Sequence, residues 1–141
     1  MTDAAIPKHP WLQQRGRHVF VQSYPDRFSD AELAEFLDYF HALPPILPEP
    51  YAWVIDLNGL FRAPMRQKNA IQARQDENVD IARRKNAGTA IVADNAIKRG
   101  LVRATYLLKA QAFPVKVVSS VDEGVEWVRG QLALRGVVDE G

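Results

Sequence analysis

Two aspartates, Asp56 and Asp94, are the side chains best placed for chemistry, because each follows a short apolar run of strand length. The carboxyl ends of neighbouring parallel strands meet at one edge of a sheet, where open α/β folds bind their ligands. Two carboxylates there could hold Mg²⁺ or accept a phosphoryl group. A phosphoacceptor site of that type also needs an acidic pair after the first strand, and Gln22, Ser23 and Tyr24 stand there instead. We therefore predict that both aspartates cap helices or accept hydrogen bonds within loops.

The other residues that bind metals or carry out catalysis are dispersed. The three histidines, His9, His18 and His41, fall in different predicted elements, and the chain has no cysteine. A zinc site needs three or four such ligands brought together, so we predict neither a metal site nor a cofactor. The sequence also contains no glycine-rich phosphate loop, no G-x-S-x-G elbow and no dinucleotide fingerprint. We therefore expect a non-catalytic protein, and an uncharacterised enzyme is the least favoured alternative.

A basic cluster follows the first aspartate. Arg62, Arg66 and Lys68 surround the start of a predicted helix, and Asn58 opens the loop before it. The free amides and the dipole at a helix N-terminus favour an anion. We predict that these four residues bind a partner or ligand, which could be an acidic protein surface, a phosphate-bearing metabolite or an anionic lipid head group. Nucleic acid is not expected, because the basic residues are not interleaved with aromatic residues that stack on bases.

The net charge of +1 hides two segments of opposite sign. The predicted helix at 29–43 contains four acidic residues and no lysine or arginine, which gives it a charge of −4. The segment 62–85 contains seven basic and three acidic residues, which gives +4. This separation fits a basic binding surface, and it also fits two helix faces that are simply solvated.

The elements that would position these residues begin with a hairpin and a helix. We predict strands at 11–14 and 18–24, joined by a turn at 15–17. Ser29 and Glu32 form a capping box that starts a helix, and Pro44-Pro45 ends it. The run 51–57 lacks polar alternation, so it reads as a central strand buried on both faces. The Pro45-to-Pro48 segment reads as a stiff connector.

Strands and helices then alternate. We predict a long helix from Pro64 that ends at Gly88, either continuous or kinked in its polar segment at 72–78. A strand at 89–93, a helix capped by Asp94 or Asn95, and a strand at 115–118 follow. The last helix is capped by Ser120 and Glu123 and ends at Gly136. Two helices carry apolar stripes that should face the core: Ile97, Leu101, Ala104 and Leu108 in one, and Val121, Val125, Val128 and Leu132 in the other.

This order predicts an α/β fold with an N-terminal hairpin and a mainly parallel central sheet flanked by about four helices. A length of 141 residues suits one domain, which we place at 11–136, between a flexible arm at 1–10 and a tail at 137–141. No apolar run is long enough to span a membrane, and residues 1–10 lack the apolar centre of a signal peptide. We expect a cytoplasmic protein.

Three segments resemble STAS domains, the family of anti-sigma-factor antagonists and SpoIIAA-like proteins. They are YAWVIDL at 51–57, TAIVADNAIKRGL at 89–101 and VKVVSSVDEGVEW at 115–127. The resemblance covers residues 11–134 and implies a regulatory module that binds a protein partner. Members of the family are switched by phosphorylation of a serine at the start of the helix after the central strand. Residues 58–68 contain no serine or threonine, so the resemblance implies binding without that switch.

The leading prediction is therefore a non-catalytic, regulatory protein-interaction module with a STAS-like fold. The partner could also be a second copy of the chain. The alternative is a module that binds a small lipid-like or anionic ligand, because some SpoIIAA-like proteins resemble lipid-transfer domains.

Overall fold

The fold is built on one mixed sheet of five strands, seen in a computed structural model that describes residues 6–106 and 112–139. The strands are β1 (Leu12–Gln14), β2 (Val19–Ser23), β3 (Tyr51–Asp56), β4 (Asn86–Val92) and β5 (Val115–Val118). Their order in the sheet is their order in the chain. β1 and β2 pair antiparallel as the predicted hairpin, and every later pair is parallel. The predicted α/β class is confirmed.

The helices of the described residues are α1 (Asp30–Ala42), α2 (Met65–Glu77), α3 (Val79–Lys85), α4 (Ala96–Tyr106) and α5 (Val121–Leu134). A short 3₁₀ helix (Asn58–Arg62) lies between β3 and α2. The α-helices number five where about four were predicted, because the long helix predicted from 64 to 88 is divided.

The division falls at Asn78, whose backbone (φ −105°, ψ 11°) leaves helical geometry. The prediction that Gly88 ends this helix was wrong, since Gly88 lies inside β4 and has no positive φ. β4 begins earlier than predicted, at Asn86, whose side chain accepts from the Gly88 amide at 2.9 Å and donates to Thr89 Oγ1 at 3.0 Å. These bonds hold the chain from Asn86 to Thr89 out of helical geometry where a helix end was expected.

Both faces of the sheet are covered. Phe20, Trp53 and Ile55 on one face pack against α1 and α2. Ile91 lies level with Ile55 and packs against Val102 of α4, so α4 covers the same face. Of the helices that the structure describes, only α5 packs on the opposite face, through the predicted stripe residues Val125, Val128 and Leu132. The strand residues of this face include Val19, Val21, Ala52, Val54 and Ala90. The middle strands are therefore buried on both sides, as the unbroken apolar run of β3 predicts.

Helix caps fix where α1 and α5 begin. Ser29 and Glu32 form the predicted capping box, with bonds of 3.0 and 2.9 Å. Ser120 caps α5 by accepting from the Glu123 amide at 3.1 Å. Glu123 differs from the prediction, because its carboxylate accepts from the hydroxyl and amide of Ser119 rather than from Ser120. The hydrogen bonds from Ser119 lower the pKa of Glu123.

Lys85 joins the end of α3 to the loop that follows α1. Its side chain is buried, and its ammonium group donates to the carbonyl oxygens of Pro44 at 2.6 Å and Leu47 at 3.0 Å. Burial lowers the pKa of Lys85, an effect opposed by the nearby carboxylate of Glu49. These bonds hold the proline-rich segment against the domain, in keeping with its predicted role as a connector.

The described parts of both chain ends contact the domain. In the predicted arm, the His9 ring packs against Trp11 and Phe36, and the Tyr39 hydroxyl donates to the Pro7 carbonyl. In the predicted tail, a carboxylate oxygen of Asp139 accepts from the His18 amide at 2.6 Å. Residues 1–5 and 140–141 lie outside the described residues.

Candidate functional site

The carboxyl edge of the parallel strands gathers the predicted site residues. The 3₁₀ helix and α2 follow β3 at this edge, α4 follows β4, and α5 follows β5. Helix N-termini place unpaired amides and the positive end of the helix dipole there.

Asn58 links the two loops that contain the aspartates. Its amide nitrogen Nδ2 and its backbone nitrogen donate to Asp56 Oδ1 at 2.8 and 3.0 Å, and its Oδ1 accepts from the Asp94 backbone at 3.0 Å. Asp94 also accepts from Lys98 Nζ at 3.1 Å, and Asn95 caps α4 by accepting from the Lys98 amide at 2.8 Å. Asp56 accepts hydrogen bonds within its loop, as predicted, whereas Asp94 pairs with the Lys98 side chain of α4 and Asn95 takes the capping role. Asn58 is a positioning residue, since both ends of its side-chain amide are engaged.

Gly59 allows the 3₁₀ helix to lie against the chain segment after β2. A Cβ atom at this position would stand 2.2 Å from the carbonyl oxygen of Tyr24 and 2.5 Å from that of Pro25. Both atoms belong to the backbone and cannot turn away as a side chain could. The glycine therefore sets how closely the loop after β3 approaches the end of β2.

The basic residues of the predicted cluster do not share one surface. Arg66 faces α1, where its Nε and one terminal nitrogen each donate to Asp30 at 3.2 Å, and Gln67 donates to the same carboxylate at 2.8 Å. The bonds from Arg66 and then Gln67 lower the pKa of Asp30. Arg66 is therefore already paired with a carboxylate of its own chain.

Arg62 and Lys68 differ from Arg66, since neither forms an ion pair with the described residues. Arg62 is exposed and Lys68 is half-buried. Lys68 lies one helical turn before Gln72, and Gln72 borders a cleft on the side of α2 opposite α1. Lys68 is thus available on the side of α2 that borders the cleft, and Arg62 is exposed at the end of the 3₁₀ helix.

The charge separation predicted from the sequence is partly neutralised within the molecule. Arg74 of α2 donates to Asp38 of α1 at 2.7 Å, parallel to the pairing of Arg66 with Asp30. The acidic and basic helices lie side by side, so these charges pair across the α1–α2 contact. The surface that keeps an excess of positive charge lies toward α4, where Arg103 has no ion-pair partner among the described residues.

The prediction that the apolar stripe of α4 faces the core was wrong for its described part. Ile97 is 78% exposed and Leu101 is 58% exposed. Ala104 is exposed as well, and Leu108 lies outside the described residues. α4 instead turns Val102 toward the sheet.

Interactions on the inner side of α4 account for this orientation. Lys98 lies with its Nζ 5.1 Å from the ring centre of Phe61, and Arg99 donates to the Ala93 carbonyl at 3.0 Å. A cation over an aromatic ring and a charged donor on a backbone carbonyl both stabilise the helix in this rotation. The consequence is an exposed apolar strip on α4, the helix whose Lys98 contacts Phe61 next to Arg62.

The histidines lie apart, each with its own contact. His9 lies 2.9 Å from a carboxylate oxygen of Glu35, the Nδ1 atom of His18 lies 2.7 Å from the Pro50 carbonyl oxygen, and His41 lies 3.5 Å from Glu77. Across residues 6–106 and 112–139, no three histidine, cysteine or acidic side chains come together as metal ligands.

A cleft of about 220 Å³ opens between α2 and α3 on one side and the end of α4 on the other. Its floor is formed by β3, β4 and β5 and includes the buried rings of Tyr51 and Trp53. The strand residues of its lining run from Tyr51 and Asn86 at the starts of β3 and β4 to Ile55 and Ile91 near their ends, so the cleft extends along the strands.

Sequence reasoning missed this cleft. The sequence did contain one indication of it. The polar run at 72–78, inside a predicted helix, has few apolar residues that could pack against a core. Asn78 in that run lines the cleft, and its Nδ2 is buried without a hydrogen-bond partner.

No protein-family model matches the chain, and no curated protein matches it. Among the helices that the structure describes, none combines the length and apolar content needed to cross a bilayer.

Proposed function

We propose that the chain is a non-catalytic, cytoplasmic interaction module with a STAS-like arrangement, and that it regulates a protein partner by binding it at the carboxyl edge of the sheet. The surface that binds, here called the docking face, consists of Arg62, Lys68, Ile97 and Leu101. The observation that carries the proposal is the exposure of Ile97 and Leu101, at 78% and 58%.

The apolar part of the docking face would supply affinity. Burying a leucine or isoleucine side chain stabilises a complex by about 1.5–3 kcal/mol. Two such side chains would contribute roughly 3–6 kcal/mol, before the costs of association. An amphipathic helix suits this strip, because its apolar residues recur at the same i, i+4 spacing as Ile97 and Leu101.

The charges of the docking face favour an acidic partner. The described part of α4 contains Lys98, Arg99 and Arg103 but no acidic residue. Arg62, Lys68 and Arg103 are not neutralised by ion pairs with the described residues. Positive charge around an apolar centre steers an acidic helix to the surface and rejects a basic one.

The loop at the docking face supports binding that is not switched by phosphorylation. Residues 58–68 contain no hydroxyl side chain to accept a phosphate. The aspartates at the same edge, Asp56 and Asp94, accept hydrogen bonds that hold their loops. These roles fit a fixed recognition surface better than a reaction centre.

The experiment is affinity purification of the partner, followed by measurement of its binding to matched variants. Leu101→Glu should weaken binding about tenfold or more, because burial of a leucine contributes over 1.4 kcal/mol. Leu134→Glu is the control, since Leu134 is also exposed (80%) but ends α5. Arg62→Glu should weaken binding at low salt, whereas Arg83→Glu should not.

Both leucines are exposed, so circular dichroism should show folded proteins for both variants. A partner that binds the Leu101→Glu and Arg62→Glu variants as tightly as the unchanged chain would refute the docking face. If the partner is a second copy of the chain, sedimentation should show a dimer that Leu101→Glu dissociates and Leu134→Glu does not.

A further inference from the structure

A groove between α1 and α2 has a mainly apolar lining. Its floor contains Leu33 and Leu37, and the short, exposed side chains of Ala34, Ala70 and Ala73 keep its middle open. The groove has a volume of about 470 Å³, and every residue that lines it belongs to α1 or α2. A cavity of ~150 Å³ holds one benzene ring. The groove therefore has room for two aliphatic side chains, and α4 of the same chain does not fill it.

Ion pairs at the two ends of the groove leave its α1 wall acidic. Asp30 pairs with Arg66 and Asp38 pairs with Arg74, yet the two aspartate side chains remain 63% and 74% exposed. A carboxylate has about four lone-pair positions for hydrogen bonds, so each can accept from a second cation. The segment 29–43 has a charge of −4. A basic helix is therefore the occupant that the α1 wall favours.

The exposed apolar strip on α4 has the spacing and the charge of such an occupant. Ile97 and Leu101 stand four residues apart on one helical face, which is also the spacing of Leu33 and Leu37 in the groove floor. Side chains at this spacing pack into the grooves of a second helix surface. In its described part, α4 also carries three basic residues and no acidic residue: Lys98, Arg99 and Arg103.

The charges of the two surfaces disfavour symmetric contacts between copies of the chain. Contact between two α4 helices would bring basic residues together, and contact between two α1 helices would bring acidic residues together. Like charges across an interface repel. Contact between α4 of one copy and the α1–α2 groove of another joins opposite charges and covers both apolar surfaces. The charges therefore select this pairing over the two symmetric ones.

We propose that the docking face binds the α1–α2 groove of a second copy of the chain, with Ile97 and Leu101 in the groove. This inference rests on the docking face proposed above and adds which acidic surface it recognises. The strip and the groove are different surfaces, so the contact is heterologous rather than two-fold symmetric. A dimer therefore keeps one free strip and one free groove, through which further copies can join in a ring or a filament.

Sedimentation velocity of the full chain at concentrations up to about 1 mM measures the association, which is expected to be weak because one helix in one groove buries a small area. The unchanged chain should form a dimer first and larger species as the concentration rises. Leu101→Glu should weaken the association about tenfold or more, because the strip loses a leucine that the contact buries. Leu134→Glu, on α5, should leave it unchanged.

A second pair of variants tests the groove. Ala34→Lys places a long, positively charged side chain over the groove floor, so it should also weaken the association about tenfold or more. The new lysine stands four residues from both Asp30 and Asp38 and can pair with them, so circular dichroism should show a folded protein. Ala42→Lys is the control, because Ala42 is exposed in the last turn of α1 and does not line the groove. It adds the same charge and should leave the association unchanged.

A mixture of the two weakened variants distinguishes a heterologous contact from a symmetric one. Leu101→Glu keeps an intact groove and Ala34→Lys keeps an intact strip, so the mixture should form a dimer of one copy of each that grows no further. A mixture that stays monomeric while the unchanged chain associates would overturn the proposal, as would undiminished association of Ala34→Lys. An unchanged chain that stays monomeric at about 1 mM would also overturn it. The docking face would survive that last result if a purified protein partner still binds the unchanged chain and not Leu101→Glu.

Discussion

Gly59 and Gly100 form a matched pair on which the same substitution should have opposite effects. A Cβ at Gly59 would stand 2.2 Å from the Tyr24 carbonyl oxygen, whereas a normal carbon–oxygen contact is about 3.3 Å or more. One of the two backbone segments must therefore move by roughly 1 Å. A Cβ at Gly100 meets nothing within 4 Å. Steric cost is thus expected only at Gly59.

The magnitudes follow from these contacts. Overpacking at Gly59→Ala should cost about 1–3 kcal/mol, and disturbance of the Asn58 hydrogen bonds beside it should add about 0.5–1.5 kcal/mol per bond. We expect a total loss of ~2–5 kcal/mol in the free energy of unfolding. Gly100→Ala should stabilise by up to about 1 kcal/mol, because alanine has the higher helix propensity.

Urea unfolding followed by circular dichroism measures both changes, and thermal unfolding checks them independently. At ~3–4 °C per kcal/mol for a chain of this size, Gly59→Ala should lower Tm by roughly 6–20 °C and Gly100→Ala should raise it by up to ~4 °C. Gly59→Ala with unchanged stability would refute the close approach of the 3₁₀ helix to the end of β2. A destabilising Gly100→Ala would refute the open position assigned to Gly100.

Three further predictions concern charge and burial. Asp30 has a lowered pKa when folded, so its ionised form stabilises the fold at pH above its ordinary pKa of 3.8, and this contribution is lost as pH falls through the folded pKa. The stability difference between the unchanged chain and Asp30→Asn, followed by urea titration from pH 7 to pH 3, should therefore shrink toward the acid end; a constant difference would contradict the ion pair. Lys85→Met should destabilise by about 1–3 kcal/mol in urea unfolding, because two buried carbonyl oxygens lose their donor. Leu132→Ala should cost about 2–5 kcal/mol at its fully buried site, whereas Leu134→Ala should change unfolding by less than ~0.5 kcal/mol.

The features that the sequence predicted correctly depend on local rules. In the capping box, the side chains of Ser29 and Glu32 pair with backbone amides at the start of the helix. Because both partners are close in sequence, the box forms regardless of what the helix packs against. β3 was recognisable because a strand covered on both sides needs apolar residues without alternation. The loop roles of Asp56 and Asp94 likewise involve partners only two and four residues away.

The features that were missed depend on contacts between distant segments. Helical spacing showed that Ile97 and Leu101 share a face, but not that Phe61 would draw Lys98 inward and turn that face to solvent. Charge counting placed Arg66 in a free basic cluster, whereas its partner Asp30 lies thirty-six residues earlier in the chain. The cleft required the packing of three helices over the sheet, which no local pattern contains.

The order of the strands has a consequence for how the chain assembles. Because the strands are arranged in the sheet as they occur in the sequence, each new strand from a ribosome can join the exposed edge of those already made, without insertion between existing partners. α5 is the last described helix to be synthesised, and it is the one among them that packs on the face containing Val21, Val54 and Ala90. Until α5 emerges, this face is a bare apolar surface on the growing chain. Release from the ribosome before α5 docks would therefore yield an aggregation-prone intermediate, and a chain truncated before residue 121 should depend on chaperones for solubility.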